Sequence, residues 1–280
     1  MSSKAYTFNT LSVSVPKTFV YHVELNRPKQ LNAQTEEMWT ELKNCFEAIN
    51  VDPDCRVVVI SGNGKMFTAG LDFKVALENS QELSEIEDVA RKAKFLRATI
   101  DKGQTAFTSM EMCNKPVLAA VHNACIGAGV SLITAADVRY CTKDAWFQVK
   151  EVLLGITCDV GALQRLPKVV GFNGLVREIC YTARKFTAEE ASKIGLVTSV
   201  FEDKESMMAG VLQIAQEIAS NSPVAVQGTK RSLVFSRDHS TRDGLEHVAT
   251  MNQGMLQSED FITGVTALAT KQKDIEFSKL

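Results

Sequence analysis

Val117-Leu118-Ala119-Ala120-Val121-His122-Asn123-Ala124-Cys125-Ile126-Gly127-Ala128-Gly129-Val130 joins an apolar run to a small-residue loop and then to a helical pattern. Val117 to Val121 has no polar alternation and reads as a buried strand. The Cys125 to Val130 segment exposes backbone N–H groups at the start of a helical run, a place that favours negative charge. A dinucleotide fingerprint would need glycine where Leu132 stands, so Gly-x-Gly-x-x-Gly fails here. Tight strand-helix packing is the structural alternative for this loop.

Working outward, Phe19 to Leu25, Arg56 to Ser61, Val138 to Cys141 and Thr198 to Phe201 also read as strands. Helical patterns lie between them, among them Thr35 to Asn50, which Thr35 can start. Such alternation predicts an α/β fold with largely parallel strands. Ser80 to Met112 is polar, helical and too long for a simple connector. From Asp203 the strand signal stops, and helices are predicted at Met207 to Ser220, Val224 to Phe235, Arg242 to Gln257 and Glu259 to Lys271. We therefore expect an α/β core over residues 1–202 and an α-helical region over 203–280.

Composition narrows the function. Among 280 residues, 31 basic and 33 acidic side chains give a net charge of -2, so no basic face exists for nucleic acid or a membrane surface. No apolar run approaches the roughly 18 residues of a spanning helix. Seven cysteines, without a Cys-x-x-Cys pair or a nearby metal-spaced histidine, read as buried thiols in a reducing compartment, and no metal site is expected. The N-terminal Met-Ser-Ser-Lys-Ala-Tyr-Thr-Phe lacks the apolar stretch of a secretory signal and an arginine-rich start. Ser278-Lys279-Leu280 is the peroxisomal address tripeptide when it stands at a free end, implying an import receptor as a partner.

Two further stretches can carry chemistry. Lys65-Met66-Phe67-Thr68-Ala69-Gly70-Leu71-Asp72 follows a predicted strand and a Gly62-Asn63-Gly64 turn, and presents backbone donors on a loop. Phe147 to Gly161 holds Glu151 and Asp159 in a mostly apolar stretch, where burial would raise a carboxyl pKa and suit it to proton transfer. Plainer readings exist: Glu151 could pair with Lys150 or Arg165, and Asp159 could cap a helix beginning at Val160. His22, His122, His239 and His247 have no visible nucleophile partner and read as structural or surface groups; Trp39 and Trp146 read as core.

These motifs together resemble a known family. Leu25-Asn26-Arg27-Pro28 with Asn32-Ala33, Phe67 to Asp72, Lys115-Pro116-Val117, Gly127-Ala128-Gly129 and Gln164-Arg165-Leu166-Pro167 are similar, in order and spacing, to the enoyl-CoA hydratase/isomerase (crotonase) superfamily. Phe147 to Glu151, Asp159-Val160-Gly161, Ser222 to Gly228 and Ser236-Arg237-Asp238-His239-Ser240 resemble its Δ3,5-Δ2,4-dienoyl-CoA isomerases.

The resemblance implies a spiral of repeated ββα units, a C-terminal helical oligomerisation region forming trimers or dimers of trimers, and an acyl-CoA substrate of fatty acid β-oxidation with no separate cofactor. It implies an oxyanion hole from the N–H groups of Ala69 and Ala128, and a substrate path along Ala69, Gly70, Leu71, Asp72, Phe73 and Ala128. It places Glu151 at C2 as base and Asp159 at C6 as donor. Where many dienoyl isomerases carry a third acid, this chain has Ser131, which cannot act as a carboxylate. Δ3-Δ2 enoyl isomerisation by Glu151 alone, enoyl-CoA hydration, or acyl-CoA binding without turnover are the rival readings.

Overall fold

The computed structural model describes residues 6–272 and 275–280; the N-terminal Met1 to Ala5 read for targeting lie outside the described residues. Every strand expected from the sequence is present. Val20–Leu25 (β2), Val57–Gly62 (β3), Val117–Val121 (β4), Val138–Thr142 (β6) and Ser199–Phe201 (β9) join Leu11–Lys17 (β1) in a six-stranded sheet of order β1-β2-β3-β4-β6-β9. Only the β1–β2 pair is antiparallel. A second sheet is made of three strands that the sequence reading did not foresee: Ala124–Ile126 (β5), Trp146–Gln148 (β7) and Phe186–Thr187 (β8). At two or three residues each, they are too short for periodicity to register.

The short sheet reveals the repeat. Isolated parallel bridges Gln34↔Leu71 and Thr68↔Cys125 prolong its ladder beyond β5. The chain thus makes the same move four times, laying a strand in the large sheet, then a short extended piece in the small one, then a helix. Gln34 follows β2 and precedes α1 (Glu36–Asn50); Thr68 to Leu71 follow β3 and precede α2 (Phe73–Glu85) and α3 (Val89–Met112). β5 follows β4 and precedes α4 (Ala128–Thr134); β7 follows β6 and precedes a 3-10 turn at Glu151–Leu154 and then α5 (Ala162–Val170). This is the expected spiral of ββα units.

Local chemistry fixes the helices. The Thr35 hydroxyl accepts from Met38 N at 3.2 Å as the N-cap of α1. That helix buries Met38, Trp39, Leu42, Cys45, Phe46 and Ile49, a stripe at helical spacing packed against α3. In β3 and β4 burial is complete on both faces. Val117, Ala119 and Val121 of β4 face the main core, while Leu118 and Ala120 face Met207, Val211, Ala215 and Ala219 of α8 (Lys204–Ser220). All seven cysteines are free and buried.

The division expected at residue 203 assigns α8 to the helical region, yet α8 covers the outer face of the large sheet. After it come α9 (Pro223–Ser236), α10 (Thr241–Met255) and α11 (Glu259–Thr270). Among described residues, α10 buries none and α11 only Ala267. No helix among the described residues is long and apolar enough to cross a membrane.

Candidate active site

The ends of the small-sheet segments converge. Thr68 N donates to Ala124 O at 3.1 Å and Ile126 N to Thr68 O at 3.3 Å, so the first loop is zipped to the second. The third segment joins through Gly127 N, which donates to Gln148 O at 2.8 Å. Between them runs a cleft lined by Ala69, Gly70, Leu71, Phe73, Ile126, Ala128, Glu151, Leu154, Asp159 and Val160, with Trp39 at its floor. Trp39 is also a core residue, its indole N–H bonded to Gln34 Oε1 at 2.9 Å.

Backbone donors sort themselves by what they already hold. Ala128 is the first residue of α4, where N–H groups have no partner within the helix, and its own N–H has none among described residues. It is free for an anionic ligand. The expected donor on Ala69 is not, because Ala69 N is bonded to Leu31 O at 3.0 Å. The bridge to Gln34 uses Gly70 O and Asp72 N, at 2.7 and 2.9 Å, which turns the intervening Leu71 N–H to the opposite side. Leu71 N–H has no acceptor among described residues. The two loops therefore offer the N–H groups of Leu71 and Ala128, while that of Ala69, expected as a donor, is already engaged.

Asp72 also departs from expectation. Its carboxylate is ion-paired with Arg27 at 2.9 Å and caps α2 by accepting from Lys74 N at 3.1 Å, so it braces the loop and does not line the cleft. Ser131, one turn along α4 from Gly127, is fully buried, and its hydroxyl has no partner among described residues.

The two carboxyl groups share the cleft. Glu151 is 8% exposed at the start of the 3-10 turn. A Cβ at Gly127, whose φ is +53°, would stand 3.5 Å from Glu151 Oε1, so the carboxylate lies directly against the second loop. Neither suggested cation reaches it: Lys150 Nζ sits over the Phe73 ring, 5.6 Å from its centroid, and Arg165 is bonded to Glu111 at 2.6 Å. Its Oε2 has no partner among described residues. Asp159 does not cap α5, whose N-cap is Gly161 with no side-chain bond. Its half-buried carboxyl has a pKa raised above 3.8, chiefly by desolvation.

Sequence reasoning missed Cys158. Its buried thiol lies beside the Glu151 carboxyl and is pushed well above the ordinary thiol range, first by burial and then by the charge of Glu151. Its place beside Asp159 was the only available signal. The histidines stay out of the cleft: His22 meets Ser61 Oγ at 2.8 Å, His122 meets Gly64 O at 2.9 Å, and His239 and His247 stack on Phe235.

A family model for enoyl-CoA hydratase/isomerase matches residues 17–278. The chain belongs to this enoyl-CoA hydratase/isomerase family. Its fold is shared by a crystal structure of enoyl-CoA hydratase from Bacillus anthracis, with a TM-score of 0.87 at 28% identity, covering 96% of this chain and 99% of that one. Mouse mitochondrial Delta(3,5)-Delta(2,4)-dienoyl-CoA isomerase is 48% identical over 279 residues, 98% of this chain and 84% of the mouse protein. The peroxisomal Delta(3,5)-Delta(2,4)-dienoyl-CoA isomerase of Arabidopsis thaliana is 44% identical over 261 residues, 93% of each. Within the enoyl-CoA hydratase/isomerase family, a crotonyl-CoA hydratase of Syntrophomonas wolfei stands further off, at 34% identity over 256 residues, covering 91% of this chain and 93% of that one.

Proposed function

We propose that this chain isomerises 3,5-dienoyl-CoA to 2,4-dienoyl-CoA in fatty acid breakdown. The observation that carries the reading is the placing of two separate carboxyl groups, Glu151 and Asp159, in one cleft with the unengaged N–H groups of Leu71 and Ala128. Dienoyl-CoA isomerases at 48% and 44% identity support the substrate.

The reaction moves one proton. Glu151 removes it from C2, and the electron pair passes through C1 to the thioester oxygen, giving an enolate conjugated with the C3 and C5 double bonds as far as C6. Leu71 and Ala128 N–H groups hold that oxygen, each contributing about 3 to 4 kcal/mol. Asp159, whose carboxyl pKa is raised by desolvation, delivers a proton at C6, leaving double bonds at C2 and C4. Glu151 and Asp159 then return to their starting states by exchange with solvent. These steps call for no flavin or nicotinamide, since no electron is gained or lost. With Ser131 unable to ionise, the two-carboxylate arrangement for hydrating a double bond is not assembled.

The test is the absorbance of 2,4-dienoyl-CoA formed from 3,5-octadienoyl-CoA by the purified chain. Wild type forming no product, or Glu151→Gln forming it at the full rate, overturns the assignment.

Two further readings accompany it. The apolar groove along α9–α11, with Leu233, Phe261, Ile262 and Leu268 exposed, seats a second copy of the chain in a trimer or a dimer of trimers. Ser278-Lys279-Leu280 addresses the chain to peroxisomes through an import receptor, as the name of the plant relative would suggest, although the mammalian relatives are named mitochondrial. Loss of peroxisomal localisation on removing Leu280 from a fluorescent fusion is the corresponding check.

A further inference from the structure

Asp159 sits on a turn between the 3-10 turn and α5, where no side-chain cap fixes it. Its position is therefore set through its backbone, which is held from α3 and α5. Gln104 Nε2 of α3 donates to Asp159 O at 2.6 Å. Two residues on, Gly161, at φ +118°, lies flat against the Arg165 guanidinium; a Cβ there would collide with Arg165 Nη1. Arg165 N also donates to Gly161 O at 3.1 Å.

Arg165 is itself immobilised. Its Nε and Nη2 donate to Glu111 Oε2 at 3.0 and 2.6 Å, and Nη2 reaches Thr108 Oγ1 at 3.1 Å. The other oxygen of Glu111 is bonded to Arg237, the C-cap of α9, and the adjacent Asp238 pairs with Lys168 of α5. Glu111 and Arg165 side chains are only 11% and 12% exposed, so the paired charges are sheltered from screening. Part of the Ser236 to Ser240 motif thus acts as a tie between α9 and the loop that carries Asp159.

We propose that Glu111, clamped between Arg165 and Arg237, positions Asp159 for proton delivery at the far end of a conjugated acyl chain and thereby sets the yield of isomer per C2 deprotonation. The inference rests on Asp159 being the C6 donor. Glu151 lies outside this network, against Gly127, and so do the Leu71 and Ala128 donors. Loosening the clamp displaces the donor while leaving the base and the oxyanion hole in place. A misplacement of about 1 Å can cost about 10²-fold in rate.

The experiment follows two signals from 3,5-octadienoyl-CoA in D₂O: formation of 2,4-dienoyl product, and deuterium entering C2 of recovered substrate, which needs only Glu151 and the hole. Arg237→Ala and Gln104→Ala are expected to lower product formation about 10-fold or more, with KM within about twofold and C2 exchange maintained. Arg237→Lys, which can restore the single contact to Glu111, should recover most of the rate. Gln104 is exposed and loosens the same loop without opening the ion cluster, so a folding failure of Arg237→Ala does not stall the test. Unchanged product formation in Gln104→Ala and in folded Arg237→Ala, or a parallel fall of exchange and product, overturns the proposal. Asp159→Asn separates this from the underlying reading: wild-type turnover in that variant removes Asp159 as donor, whereas lost turnover with retained exchange upholds it.

Discussion

The buried thiol of Cys158 lies beside the carboxyl of Glu151, whose charge adds to burial in raising the thiol's pKa. Glu151 therefore has a neutral thiol for a neighbour, while the two cations suggested for it by the sequence are engaged elsewhere: Lys150 over Phe73 and Arg165 with Glu111. A neutral neighbour orients a carboxylate without a full countercharge. Cys158→Ala is expected to lower kcat about 2- to 10-fold, the worth of one polar contact, with Cys158→Ser intermediate and KM little changed. Steady-state kinetics of the two variants decide it; an alanine variant as fast as wild type removes the thiol from the mechanism.

Replacing Glu151 with Gln keeps the shape of the side chain but abolishes its basicity. Product formation should fall by about 10² to 10⁴, with thermal stability at or above that of wild type, because a buried unpaired oxygen is exchanged for an amide. Stopped-flow absorbance together with calorimetry would read both.

For Asp159 the pH dependence of stability has a definite sign. Its folded pKa lies above the unfolded 3.8, so below 3.8 it is protonated in both states and costs nothing. As pH rises through the interval between the two values, the folded state must either hold its proton or bear a desolvated charge, and stability is lost. Asp159→Asn carries no such charge. Its Tm advantage over wild type should open as pH rises above 3.8 and vanish below it; a gap widening toward acid contradicts the desolvation account.

Ala128→Pro deletes one oxyanion donor at a helix N1 position, where proline is tolerated. The rate should fall about 10²- to 10³-fold with the fold intact. An ester in place of the Leu71 amide should act similarly. At Ala69 the same replacement instead removes the bond to Leu31, costing about 1 kcal/mol of stability with a much smaller kinetic effect. Comparable kinetic losses at Ala69 and Leu71 would return the donor role to Ala69.

Leu268 is 80% exposed and Ile262 62% exposed on α11. If a second copy covers them, Leu268→Glu should shift the sedimentation coefficient toward the monomer value while circular dichroism is preserved. A variant that sediments like wild type places the subunit contact elsewhere.

Strands β2, β3, β4 and β6 and the C-terminal helices were legible because apolar residues run through those strands and helical stripes repeat over many residues, whereas the seven-residue β1, exposed along much of its length, carries no such run. The small sheet was not. Ala124–Ile126 and Phe186–Thr187 contain too few residues to show a period, and bridges such as Thr68↔Cys125 depend on backbone bonds that side chains do not encode. The same reason separates what could be read at the site from what could not. Glu151, Asp159 and Ala128 could be named from chemistry or motif, but whether Ala69 or Leu71 has a free N–H turns on a pairing with Gln34, far back along the chain. Asp72 looked like a substrate contact because its ion pair with Arg27 crosses a loop. Cys158 gave no pattern at all, since seven scattered cysteines look alike until the fold sets one against a carboxylate.

The four-fold repetition of long strand, short strand and helix divides labour between the sheets. The large sheet packs one face on the main core and the other on α8, and neither the sheet nor α8 contributes a residue to the lining of the cleft. Every group given a chemical role in the reaction lies on, or just after, a short-sheet segment. Each such segment pairs with its neighbour over only one to three residues, so its side chains can change while the long strands keep their register. A scaffold arranged this way lets one turn of the spiral acquire or lose an acid, as at Ser131, without renegotiating the others, which makes new acyl-thioester reactions reachable by local change.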